Sequence, residues 1–272
     1  MNTKSIGIFD SGFGGLTVMK AITELLPQEN IIYFGDTAHL PYGNKSPETL
    51  LKYSMQNVQF LAEQEIKLLV IACHSACTAA LPALESHFSF PIVGVTHPGV
   101  EELVHHSKTG NLGLLGTKAT IESGAYQKMV LQRLPKANLS AVACPLFVPL
   151  VETGYLRNPL ITKNIVSEHL HLLKEKPLDA VLLACTHYPL LQEQIQEELG
   201  DLVLLIDPAA ACAKKVQKTL EDLDLQNYES SSAQYLFYVS DDPLQFQTIG
   251  QSFFPLPIEA VHLSENALQK NL

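Results

Sequence analysis

Two stretches of the chain repeat one pattern: LLVIACHSACTAALPAL carries Cys73 and LDAVLLACTHYPLLQEQI carries Cys185, each directly behind an apolar run. A run that is apolar at every position reads as a strand buried on both faces, and the amphipathic stretch behind it reads as a helix. Such a strand must be covered by helices on two sides, so the repetition points to an α/β architecture of two related units. The echo extends beyond the cysteines. IGIFDSGFGGLTV and LGLLGTKATIESG both pass from an apolar strand into a loop of small and hydroxyl residues that opens a helix, and Asp10 precedes Cys73 by 63 residues where Thr117 precedes Cys185 by 68.

Further strand-like runs fill the interval: SIGIFD, NIIYFGD, LLVIAC, PIVGVTH, NLGLLGT, LSAVACP, AVLLAC, LVLLID and QYLFYVS. Between them, helices are expected over Leu16 to Leu26, Pro47 to Gln64, Ser75 to His87, Glu122 to Leu134, Asn158 to Lys174, Leu190 to Leu199 and Ala209 to Leu223. The expected fold class is therefore α/β, with two pseudo-symmetric lobes, each a mostly parallel sheet flanked by helices. Ligands in such sheets bind beyond the carboxyl ends of the strands, which places the site in the cleft between the lobes. The segment after the second cysteine unit, with LVLLID and QYLFYVS, either extends the second lobe or returns to the first.

Composition narrows the function classes. A formal net charge of −10 without a cluster of Lys and Arg argues against a nucleic-acid surface or an acidic membrane. No apolar stretch near the N-terminus is long enough for a signal peptide and none elsewhere reaches about 18 uninterrupted residues, so a cytoplasmic protein is expected. Five cysteines in 272 residues do not resemble a secreted disulfide framework and should stay as thiols.

Cys73 and Cys185 each fall where a strand ends and a helix is expected to start, where exposed backbone N–H groups should lower a thiol pKa and favour thiolate. Either cysteine alone reads better as a small buried hydrophobe, but a matched pair reverses that preference, because it can face one ligand from two sides. Such a pair can take a proton from one face of a carbon and return one to the other. Asp10 and Ser11 in FDSGFGG are candidates to hold a substrate ammonium or poise Cys73, with a helix cap as the plain reading of Asp10. His187, two residues beyond Cys185, can act on that thiol, and Thr186 adds a hydroxyl. Tyr42 and Gly43 in GDTAHLPYG form a tight turn or meet a carboxylate. Glu152 is a helix cap or a buried acid acting with His187. The glycine-rich loop lacks the Lys-Ser/Thr pair of a phosphate loop, and Cys73, His74 and Cys77 have no zinc-finger spacing, so neither a metal nor a cofactor is expected. Cys144 and Cys212 read as packing residues.

In combination and in order, FDSGFGG, YFGDTAHLPYG, IACHSACTAAL, GLLGTKATIESGAY, CPLFVPLVETG and LLACTHYPLL resemble the glutamate racemases of the aspartate/glutamate racemase superfamily, over most of the chain. The resemblance implies a cofactor-independent isomerase that interconverts L-glutamate and D-glutamate for peptidoglycan, with Cys73 and Cys185 as acid/base residues assisted by Asp10, Glu152 and His187. It implies substrate contacts from Asp10, Ser11, Tyr42, Gly43, His74, Ser75, Thr117, Thr120, Thr186 and His187. It also implies that the last segment packs back on the first lobe, giving residues 1–96 with 209–272 as one lobe and 97–208 as the other. The expected partner is the small-molecule substrate alone, with no nucleic acid and no membrane; a homodimer is the assembly to test. One departure stands out: Cys73-His74-Ser75 replaces the family's Cys-Asn-Thr, exchanging a carboxamide for a bulkier ring that can carry charge. That change leaves open a racemase of aspartate or another amino acid. A non-catalytic amino-acid-binding relative, and a redox role for Cys77, are the other readings.

Overall fold

The structure, a computed structural model, describes residues 3–228, 232–258 and 261–264. Chain order alternates strand and helix: β1 (Ile6–Asp10), α1 (Leu16–Leu25), β2 (Ile31–Gly35), α2 (Pro47–Glu63), β3 (Leu68–Ile71), α3 (His74–His87), β4 (Ile92–Gly94) and α4 (Thr96–His105). It continues through β5 (Asn111–Gly116), α5 (Lys118–Glu122), α6 (Ala125–Arg133), β6 (Asn138–Ala143), α7 (Phe147–Glu152), α8 (Pro159–Lys174), β7 (Ala180–Ala184), α9 (Gln192–Leu199) and β8 (Leu204–Ile206). The last elements are α10 (Ala209–Asp222), β9 (Tyr235–Val239), α11 (Pro243–Gly250) and β10 (Val261–Leu263).

The strands form two sheets, ordered β10-β9-β2-β1-β3-β4 and β6-β5-β7-β8, and every strand pairing among the described residues is parallel. The order β2-β1-β3-β4 in one sheet is matched by β6-β5-β7-β8 in the other, so β1 corresponds to β5 and β3 to β7. β1, β3 and β7 are buried at every residue, as two helical layers require. Each sheet reverses its strand order beside its first strand, and loops splay apart there to leave a crevice at the carboxyl ends. Asp10 ends β1 and Thr117 follows β5; Cys73 follows β3 and Cys185 follows β7. After the second sheet the chain returns to the first: α10 packs on α1, and β9 pairs with β2.

Several elements depart from the pattern read off the sequence. The helix expected over Glu122 to Leu134 starts only at Ala125, as α6, because Gly124 before it adopts a left-handed φ of 64° that an L residue avoids, and the short α5 precedes it where no helix was expected. PIVGVTH is a strand only to Gly94, and α4, with α7, α11 and β10, has no counterpart among the expected elements. Side chains cap two of the long helices: Ser46 and Asn158 precede Pro at the first turns of α2 and α8 and accept the N–H of Thr49 and Ile161. No helix among the described residues is long and apolar enough to cross a membrane.

Candidate active site

The carboxyl ends of the two sheets meet around a narrow cleft. From the first sheet it is lined by Ser11, Leu40, Pro41, Tyr42, Gly43, Cys73, His74 and Ser75, and from the second by Thr117, Val148, Glu152, Cys185, Thr186 and His187. The loops touch across it closely enough to exclude side chains. A Cβ on Gly14 would lie 2.2 Å from Thr186 Oγ1 and 2.5 Å from His187 Nδ1, and one on Gly43 would lie 2.6 Å from the Thr117 Cβ. Hydroxyls join the same faces: Thr17 donates to the Thr186 carbonyl at 3.2 Å, and Ser75 Oγ meets Thr117 Oγ1 at 2.9 Å.

Cys73 is the N-cap of α3 and Cys185 leads into a tight turn. That turn is 3-10 in character, with Tyr188 N–H donating to the Cys185 carbonyl at 3.1 Å. An α-helix starting here would need an N–H from residue 189, which is proline and has none, so no α-helix opens at Cys185 itself, and the helix expected from Leu190 begins at Gln192.

The expected low thiol pKa is overturned. Burial is the largest influence on both cysteines and disfavours the charged thiolate. It pushes Cys73 up to about 12, with the nearby Asp10 adding to the rise and the Ala76 amide and Ser11 pulling back. The helix terminus thus acts in the anticipated direction but loses to desolvation. Cys185 is likewise raised well above its ordinary value, by burial first and also by Cys73, Asp10 and Glu152, against the His187 amide. Each thiol raises its neighbour's cost of ionising, which favours one thiolate at most in the pair.

Around Cys185 the side chains form a chain: Sγ lies 4.0 Å from His187 Nδ1, and His187 Nε2 lies 2.9 Å from Glu152 Oε1. A carboxylate accepting the Nε2 proton leaves Nδ1 as the basic nitrogen facing the thiol. Glu152 reaches this position from the last turn of α7, and Phe253 packs edge-on against the ring. Around Cys73 the counterpart is Asp10, which burial pushes above the ordinary carboxylate range while the charge of His187 and the amides of Gly15, Gly12 and Ser11 hold part of that rise back. Its Oδ2 accepts the Gly12 N–H at 2.9 Å.

Of the residues expected to touch substrate, Asp10 and Thr120 do not line the cleft. Asp10 is turned in beneath the Gly12 amide, and Thr120 lies under Thr117, bonded to its hydroxyl at 3.1 Å and to Ser75 at 3.3 Å. The others are all brought together. Val148, Leu40 and Pro41 complete the wall without having been anticipated, since an apolar residue in a loop carries no signal of what it faces. His74 is the second correction: its capacity for charge is suppressed, because complete burial lowers its pKa to about 3 and keeps the ring neutral.

The loop bearing Tyr42 and Gly43 is held from behind by Asp36. Its carboxylate accepts hydrogen bonds from His39 Nδ1 at 2.8 Å, Ser240 Oγ at 2.7 Å, Asn57 Nδ2 at 3.2 Å and the Tyr42 hydroxyl. Burial alone would raise this acid, but the hydrogen bonds from His39, Tyr42 and Ser240 outweigh it and hold the carboxyl below its usual range.

Comparison with known proteins places these features in one group. The model of the Asp/Glu/hydantoin racemase family matches residues 6–216. A glutamate racemase of Geobacter metallireducens is 44% identical over 253 residues, covering 93% of each chain, and one of Syntrophus aciditrophicus is 43% identical over 248 residues, covering 91% of this chain and 92% of that one. Among solved structures, a glutamate racemase isoform from Bacillus anthracis superposes with a TM-score of 0.93 at 32% identity, covering 97% and 98% of the two chains. The glutamate racemase of Francisella tularensis in complex with D-glutamate superposes at 0.91 with 34% identity, covering 98% and 99%.

Proposed function

The chain belongs to the Asp/Glu/hydantoin racemase family, and we propose that it is a glutamate racemase in which Cys73 and Cys185 exchange the roles of base and acid. One observation carries the reading: two thiols at equivalent positions of two equivalent sheets line a single cleft.

In the turnover this arrangement supports, one cysteine, as thiolate, takes the α-proton, and the C–H electron pair stays on Cα. The opposite thiol then gives its proton to the other face. The C–H bond broken is matched by the one formed, and thiol and thiolate have changed places, so the enzyme is left in the form suited to the other enantiomer. Because burial favours the protonated form of both thiols, the cycle starts only when a neighbour accepts one of their protons. For Cys185 that acceptor is His187 Nδ1, whose resulting charge is stabilised by Glu152. For Cys73 it is Asp10, whose raised pKa narrows the gap between acid and thiol. The carbanionic transition state has no electron sink in these side chains. Its stabilisation falls to fixed donors around the carboxylates, from Ser11, Gly43, Ser75, Thr117 and Thr186, in a cleft walled by both sheets.

We assign the product to the supply of D-glutamate for peptidoglycan. We propose residues 1–96 with 209–272 as one lobe and 97–208 as the other, with the substrate held between them. The test is incubation of the reduced protein with L- or D-glutamate in deuterated water, where deuterium should appear on Cα of the product enantiomer. Absence of product from either enantiomer would overturn the reading. A parallel panel including aspartate separates glutamate racemisation from that of another amino acid.

A further inference from the structure

His74 comes from α3 on the first sheet, yet the group nearest its ring nitrogen belongs to the second. Its Nδ1 is in hydrogen-bond contact with the hydroxyl of Tyr126 on α6, a residue 52 positions away that is 1% exposed. The two rings are 25° from coplanar with centroids 6.0 Å apart. Which atom donates is decided by counting groups. Tyr126 meets no other hydrogen-bond partner among the described residues, and a buried O–H that donates to nothing bears the full cost of its lost hydration. The hydroxyl therefore donates, and Nδ1 accepts.

We propose that Tyr126 is a positioning residue that locks His74 as the Nε2–H tautomer, so that the cleft offers the substrate a neutral N–H donor from this ring. The ring carries a single proton, because burial lowers its pKa to about 3, and an acceptor at Nδ1 leaves that proton only Nε2 to occupy. Nε2 meets no hydrogen-bond partner among the described residues, while His74 itself lines the cleft. A carboxamide in this place offers a donor and an acceptor and can turn to suit either. The locked imidazole offers a donor alone, which suits a carboxylate oxygen and rejects a ligand group that needs an acceptor. The lock also joins an element of the first sheet to one of the second, so the donor is set only while Tyr126 stays within reach of His74. The identity of the ligand rests on the glutamate reading above; the state of the ring does not.

Labelling the histidines with ¹⁵N and recording long-range proton–nitrogen correlations reads the tautomer directly, with His74→Asn identifying the His74 signals among the ten histidines. Nδ1 should show the shift of an unprotonated nitrogen and Nε2 that of a protonated one. In Tyr126→Phe the two signals should move toward each other as both tautomers become populated, and KM for glutamate should rise about tenfold, with kcat within about threefold of the parent. In a His74→Asn background the same Tyr126 change should leave KM within about twofold. A protonated Nδ1 in the parent protein, or ring signals untouched by Tyr126→Phe, would overturn the proposal. The parent spectrum decides the tautomer even if the phenylalanine variant does not fold. A parent protein that fails to turn over glutamate would sink the functional reading and leave the tautomer to be read as before.

Discussion

Adding one methyl group at Gly14 tests whether the two sheets must close to make the site. The Cβ would lie 2.2 Å from Thr186 Oγ1 and 2.5 Å from His187 Nδ1, distances that contacts of real Cβ atoms do not reach. Thr186 would have to retreat by about 0.8 Å, and the imidazole by about half an ångström, to reach even a tight contact of about 3 Å. Neither can swing aside freely. The ring is held by Glu152 at 2.9 Å, and the Thr186 backbone by Thr17 at 3.2 Å. Overpacking of this kind costs about 1–3 kcal/mol, which in a chain of this size is a fall of about 2–12 °C in Tm. The larger effect is on turnover, because moving His187 relative to Cys185 by a good part of an ångström should lower kcat by about 10²-fold. Differential scanning fluorimetry and a circular-dichroism racemisation assay run from both enantiomers measure the two effects. Gly12→Ala is the matched control: its Cβ would meet only the flexible end of Leu40 at 3.1 Å, and it should cost less on both counts. A Gly14→Ala protein with the parent's Tm and kcat would refute the argument that these loops are pressed together in the working enzyme.

Glu152→Gln removes the charge that stabilises a protonated His187, and losing one charge-assisted hydrogen bond of about 1.5–3 kcal/mol should lower kcat/KM roughly 10- to 150-fold. Since enantiomers are equal in energy, the loss in kcat/KM must be the same in both directions, and steady-state assays from L- and D-glutamate check the magnitude and that equality together. The unliganded protein should show no thiolate absorbance near 240 nm below about pH 9, because burial raises every one of its cysteines, Cys77 to about 11 and Cys144 to about 12 among them. An ultraviolet pH titration showing thiolate at pH 7 would contradict this. Asp36→Asn should destabilise the protein by about 1–3 kcal/mol and raise KM through the loop bearing Tyr42. Its folded-state pKa is depressed, so its contribution is present above the unfolded carboxyl value of about 3.9 and is lost as pH falls through the folded one. Urea denaturation of both proteins at pH 7 and pH 3 should show the difference shrinking at the lower pH.

The class of fold, the paired units and the placement of Cys73, Cys185, Asp10 and Thr117 at strand ends were legible because they are written locally, in apolar runs that stop at loops of small residues. His187 and Glu152 were legible as candidates for the same reason, each following directly on an apolar stretch. What was not legible depends on which groups cover one another. The sign of the thiol shift is the clearest case: a helix terminus is visible in sequence, whereas the desolvation that overrides it comes from how completely the folded chain buries the thiol. The neutrality of His74, its bond to Tyr126 and the contact of Thr120 with Ser75 likewise follow from contacts across tens of residues, while Asp10 is turned in by a local bond from the Gly12 amide. Chain order alone determined that two strand-borne thiols would stand at the same end of two similar sheets. Only the packing of one sheet's loops against the other's decided which protons those thiols keep, because the cost of a charge is set by everything that displaces water around it.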